Sequence, residues 1–92
     1  MNRCAAQDAK AADQRLNQVY RQVRMKYKGT THDDHLVDAQ LAWIKYRDAN
    51  CLFSRDRFVG GSIAPLVYSN CITQITKQRT QELERFLKDG GF

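Results

Sequence analysis

The chain has 92 residues, of which 42% are hydrophobic and 27% charged. That length and balance fit one small globular domain and exclude a disordered chain, and no apolar run approaches the roughly 18 residues of a membrane span. The net charge of +5 comes from 15 basic and 10 acidic residues. It mildly favours acidic partners, but the bases are spread along the chain without a like-charge block, as on an ordinary solvated surface. No charged n-region and apolar h-region precede the domain, so no export signal is expected in this sequence. Met1 is either an initiator or an internal residue of a longer precursor.

A first helix is predicted over about residues 2–28. Ala5, Ala9, Ala12, Leu16, Val19 and Val23 recur four and three residues apart, small at first and larger later. Gly29 stops this helix, with Arg24, Lys26 and Lys28 in its last turns. Thr30-Thr31-His32-Asp33-Asp34 then reads as a helix start, with Thr31 as the cap and the acids where the dipole favours them. The second helix is predicted over about residues 33–57. Leu36, Ala39, Trp43, Tyr46, Asn50 and Phe53 form its stripe, flanked by Ile44 and Cys51. Gly60-Gly61 breaks the pattern. Ser62 or Ala64 leads into a third helix over about residues 64–88, with Pro65 in its first turn. Tyr68, Ile72, Ile75, Leu83 and Phe86 keep helical spacing there, with Arg79 inside the stripe. Gly90-Gly91 ends the helix, and a frayed tail is expected. The expected fold is all-α, a three-helix up-down bundle in one domain spanning residues 1–92.

A core of this size is marginal without a staple. Cysteines stand at Cys4, Cys51 and Cys71, with no C-x-x-C pair and both histidines far away, which argues against structural zinc. Three thiols allow one disulfide. Cys51 and Cys71 flank the Gly-rich segment and make the best of the three pairings. If bonded, they close a loop of about 20 residues and add about 3 kcal/mol in the chain-entropy model. A disulfide implies an oxidising compartment.

Each cluster with chemical potential also has a plain structural reading. His32, Asp33, Asp34 and His35 offer four potential ligands, but at a helix start without a distant anchor they read as a capped, solvated turn rather than a metal site. Gly60-Gly61-Ser62-Ile63-Ala64 lacks the final glycine, preceding strand and triad histidine of a nucleophile elbow. No G-K-[ST] follows, so it is not a phosphate loop. Arg21, Arg24, Lys26 and Lys28, interleaved with Tyr20 and Tyr27, complement a helix dipole more readily than they bind nucleic acid. Asp13, Arg47, Asp48 and Arg79 are expected to form ion pairs between helices at the core edge, a structural polar network that fixes register. Asp13 and Asp48 each have an arginine nearby, so no carboxylate pair stands out as acid and base. No catalytic residue, metal or cofactor is expected.

Three blocks occur in order: MNRCAAQDAKAADQRLNQVY, AQLAWIKYRDANC and GGSIAPLVYSNCITQITKQRTQEL. Together they resemble the LprI-type family of bacterial exported proteins, named after a mycobacterial lysozyme inhibitor. The similarity runs from Met1 to about Phe86. Matching positions are Cys4, Asp13, Leu16, Asn17, Tyr20, Gln40, Trp43, Arg47, Asp48, Cys51, Gly60, Gly61, Ser62, Cys71, Thr76, Arg79 and Leu83. The resemblance implies a small helical domain with disulfides, exported to the periplasm or beyond, and it supports Cys51 with Cys71 as the native bridge. Members often carry a further cysteine shortly upstream of the first block. That suggests an internal Met1 and a partner of Cys4 that was trimmed or never existed here.

The function expected from the resemblance is that of an exported, non-catalytic binding protein. Its most concrete form is an inhibitor of a lysozyme-type peptidoglycan hydrolase, with Gly60, Gly61 and Ser62 as a rigid contact. The +5 charge would oppose the encounter with a basic lysozyme, so an acidic hydrolase suits it better. The alternative is a structural or adaptor protein of the cell envelope. It would bind an acidic polymer or a protein partner through Arg21, Arg24 and Lys28. In either case the partner is expected to be neither nucleic acid nor a membrane interior.

Overall fold

The structure, a computed structural model, describes residues 2–88, without the side chain of Asn2. The expectations for Met1 and for Gly90-Gly91 lie outside these residues. Three helices make the all-α, up-down bundle: α1 (Asn2–Lys26), α2 (Thr31–Asp56) and α3 (Ala64–Leu87). None is long and apolar enough to cross a membrane. α3 is the central element. It packs along α1 and along α2, whereas α1 and α2 approach each other far less closely. α1 runs parallel to α3, with Arg15 reaching Glu84 and Lys26 donating to the carbonyl of Phe86 at 2.8 Å. α2 runs antiparallel to α3, joined by Cys51–Cys71 and by Arg79 donating to Gln40.

The core follows the α1 stripe. Leu16, Val19 and Val23 close on Leu83, and Tyr20, Tyr27, Leu36, Trp43 and Phe86 pack around them. Ala5 and Ala12 are buried, as are Thr76 and Thr80 of α3. Small side chains on α1 let these threonines sit where larger residues would hold the helices apart. Thr80 donates its hydroxyl to the Thr76 carbonyl at 2.9 Å. The hydroxyls of Thr73 and Thr76 are buried and have no partner among the described residues.

The buried arcs differ from the predicted stripes in two places. On α3, Thr76, Thr80 and Leu83 are the fully buried residues, while Tyr68, Ile72, Ile75 and Phe86 are half-buried. α3 is contacted from two sides, so its buried face is wider than one apolar stripe. On α2, Asp33, Gln40 and Cys51 are buried, whereas Tyr46 and Phe53 are exposed. A stripe shows which way a helix face points but not how far a neighbour extends along it.

The two joints are built differently. At the first, Gly29 has φ +80°, a conformation that favours glycine. Thr30 follows in extended conformation and caps α2, accepting from the Asp33 amide at 3.4 Å. Its hydroxyl also donates to the Tyr27 carbonyl at 2.6 Å. The cap is therefore one residue earlier than the predicted Thr31, because the turn at Gly29 places Thr30 outside the helix and Thr31 within it. At the second joint Gly60 has φ +87°. A Cβ on Gly61 would meet the Phe58 carbonyl at 3.2 Å. Ile63 precedes α3 without a side-chain cap, and Pro65 lies in its first turn.

The bundle is 47 Å long, whereas α1 spans about 37 Å at the helical rise. Ala11, Ala12 and Arg15 share a surface hollow with Thr80 and Glu84. Equal rise along parallel helices then sets the first turn of α1 at about the level of Cys71. Beyond that level the α2–α3 hairpin projects without a third helix beside it. The bridge, with Cα atoms 5.5 Å apart, joins the two helices at the base of this projection.

Replacing both Cys51 and Cys71 by serine should lower stability by about 3 kcal/mol in the chain-entropy model. Urea unfolding with and without reductant checks this, and coincident midpoints would contradict it. Thr76→Val should raise stability by about 1 kcal/mol by removing an unpaired buried hydroxyl. A lower unfolding midpoint for that variant would count against the unpaired state.

Candidate functional site

The α2–α3 joint carries its charge on the α2 side. Arg55 pairs with its neighbour Asp56 at 3.0 Å. The guanidinium of Arg57 lies 5.5 Å from the centre of the Phe58 ring, and its Nε donates to the Ser54 carbonyl. The surface left over is apolar. Phe53 is 71% exposed and Val59 73%, and Leu52, Phe58 and Ile63 are also exposed. Scattered apolar side chains are normal on a surface, but five within twelve residues at one projecting tip form a patch. Gly60, Gly61 and Ser62 lie at its apex, all exposed. Reading Phe53 as core hid this patch from sequence analysis. The usable signal was the run from Phe58 to Ser69, which holds no charged residue in an otherwise charged chain.

The basic residues at the end of α1 separate into two kinds. Arg21, Arg24 and Lys28 line one open hollow of about 370 Å³ together with Tyr20, Met25 and Asp33. Arg24 is engaged there, donating Nε and Nη2 to the two carboxylate oxygens of Asp33 at 2.8 and 2.9 Å. These hydrogen bonds raise the Arg24 pKa and hold the Asp33 carboxyl below the usual carboxylate range, against the opposing effect of burial. Arg21 and Lys28 are exposed. Lys26 closes the far end of α3, donating to the carbonyls of Phe86, Leu87 and Lys88 at 2.8, 3.4 and 3.4 Å.

The turn at His32–His35 is not simply solvated, because Asp33 is buried against Arg24. His32 meets the edge of Tyr27 with ring centroids 5.9 Å apart. Among the described residues no three His, Cys, Asp or Glu side chains converge to hold a metal ion.

The polar residues at the core edge form two groups rather than one. Arg47 bonds Asp13 at 3.2 Å and Asp48 at 3.0 Å, and its guanidinium lies 5.0 Å from the Trp43 ring centre. Arg79 stands apart from them, donating to Gln40 at 3.0 Å and to Glu82 at 3.2 Å. Asp13, Leu16, Asn17, Tyr20, Gln40, Trp43 and Arg47 line a groove of about 250 Å³ between α1 and α2.

The profile of the family described as "Lysozyme inhibitor LprI" matches residues 1–83. The chain belongs to the LprI family. An uncharacterised protein of Rhizobium meliloti (strain 1021) is 35% identical over 100 aligned residues, which cover 96% of this chain and 72% of that protein. No solved structure gives a significant match. In this LprI-family chain Gly60, Gly61 and Ser62 lie at the tip, and Cys51 and Cys71 clamp its base.

The Arg24–Asp33 pair links the first joint to pH. Asp33 has a lower pKa folded than unfolded, so its ionised form stabilises the fold above the ordinary aspartate pKa of about 4. That contribution fades as pH falls through the lowered value. Asp33→Asn should therefore be less stable than wild type at neutral pH, with the difference closing at strongly acidic pH. Denaturant unfolding at several pH values checks this. A constant difference across the range would show that the carboxylate charge is not the cause.

Proposed function

We propose that this LprI-family chain is an exported, non-catalytic binding protein that docks its α2–α3 tip against a lysozyme-type hydrolase. One observation carries the reading: exposed Phe53, Phe58, Val59 and Ile63 surround a turn whose base is clamped by Cys51–Cys71. A rigid apolar projection loses little conformational freedom on binding, which is what a contact entering a cleft needs. Apolar burial also carries no charge preference, which matters for a domain of +5 whose partner is itself a protein of either sign. An acidic hydrolase would be met faster than a basic one, because steering then assists the encounter. The disulfide suits the periplasm or the exterior, where thiols persist in oxidised form.

Lysozyme turnover on cell walls, measured with excess domain, tests the reading. Inhibition is expected for at least one of a panel of acidic and basic lysozymes. The pair Phe53→Ser and Val59→Asp, both at exposed positions, should weaken it by about ten- to a hundredfold while circular dichroism stays unchanged. Full turnover across the panel, or undiminished inhibition by the double variant, would remove the proposal.

A further inference from the structure

A three-helix bundle ordinarily closes all three of its helix–helix seams. Here the α1–α2 seam stays open on its outer side, because both helices lie mainly against α3 and α2 reaches the α1 core residues through Leu36 and Trp43. Two hollows, of about 370 and 250 Å³, meet at Tyr20 along this seam. Large apolar side chains line them and remain in water: Met25 is 71% exposed, Leu41 57% and Ile44 37%. Two ion pairs bridge α1 and α2 along this groove, Arg24–Asp33 near the joint and Arg47–Asp13 further along. Along α1 they are roughly 16 Å apart at the helical rise, the length of about three helical turns.

The charges along the groove are unequal. On the α1 side, Arg21 and Lys28 are exposed and make no ion pair among the described residues. On the α2 side the outer edge carries Asp34 and Asp38, both exposed, with Lys45 beyond them. The overall excess is basic. We infer that the α1–α2 groove is a docking site for an amphipathic helix of a protein partner, whose apolar face covers Met25, Leu41 and Ile44 and whose acidic flank meets Arg21 and Lys28. The docked helix makes the fourth member of the bundle. The asymmetric edges set its direction, since reversing it would lay its acids beside Asp34 and Asp38. This site lies on a different part of the domain from the apolar tip and does not depend on the tip's role.

Trp43 is the single tryptophan and lines this groove, so its fluorescence reports occupancy. The probe is a designed peptide of about 14 residues, with leucines at helical spacing and glutamates along one flank. Titration should change Trp43 emission to saturation and raise the helical dichroism of the peptide. The same peptide with lysines in place of glutamates should bind at least about tenfold more weakly at low salt. A scrambled acidic peptide of equal composition should not saturate. Leu41→Asp should abolish binding, Arg21→Glu with Lys28→Glu should weaken it by about tenfold or more, and Val59→Asp at the tip should leave it unchanged. Leu41, Arg21 and Lys28 are exposed, so these variants are expected to fold, and circular dichroism checks that. Absence of saturable binding, equal binding of the scrambled peptide, or full binding by Leu41→Asp would each overturn the inference.

Discussion

Two antiparallel helices bury too little apolar surface to hold each other in water, and past the level of Cys71 α2 and α3 have only each other. Cys51–Cys71 sits where the third helix stops contributing. Its stabilising effect on the whole domain comes from restricting the unfolded chain. Its local effect is different: it ties the two helices at the base of a projection that packing alone does not secure. The apolar side chains of the tip can stay exposed because a covalent bond, not their burial, holds the hairpin closed. The contact role proposed for the tip depends on that bond. Cys51 is fully buried, whereas Cys71 is half-buried and lines a surface hollow.

The same division explains the centre of the bundle. α3 carries both of its neighbours, so its buried arc includes the threonines at 76 and 80 as well as Leu83. α1 presents alanines at its start and branched side chains later, so it lies close to α3 in its first half and builds the core in its second. α2 then has α3 as its main partner, with only Leu36 and Trp43 among its apolar residues reaching the shared core. Leu41 and Ile44, on the same helix, are left at the edge of the groove.

Much of this arrangement was legible in the residues. Helical periodicity and the glycines at 29, 60 and 61 located three helices with ends close to the observed ones, and the flanking positions of Cys51 and Cys71 made their pairing the favoured one. What escaped depends on distance between elements. Tyr46 and Phe53 continue the α2 stripe at correct spacing, yet no helix covers them, because spacing along one helix carries no information about the length of its neighbour. Arg24 and Asp33 lie nine residues apart across a turn, so each looked like a local complement to a helix dipole instead of half of a bidentate pair. The choice between Thr30 and Thr31 as cap was decided by the conformation of Gly29, and both threonines offer the same hydroxyl. Arg79 was grouped with the carboxylates by charge, but geometry gave it the Gln40 amide and Glu82.

The polar links between α1 and α2 explain why the open seam persists. An arginine–carboxylate pair spans more distance than two leucines in contact, and Arg24–Asp33 and Arg47–Asp13 act as struts along the outer side of a seam whose inner side is packed by Leu36 and Trp43. Partly exposed pairs of this kind add little net stability, and apolar replacements of similar volume are often more stable. Here an apolar pair would do something else as well. It would draw α1 toward α2, bury Leu41 and Ile44 within the bundle and close the groove. Arg47 shows the constraint most directly, because one guanidinium is held by Asp13 from α1, by Asp48 from its own helix and against the Trp43 ring. A residue fixed from three sides defines a separation between helices, not merely a contact. The bundle therefore keeps α1 and α2 at a set distance at both ends of the groove, which is the geometry a surface must hold if a further helix is to enter it without rearranging the core.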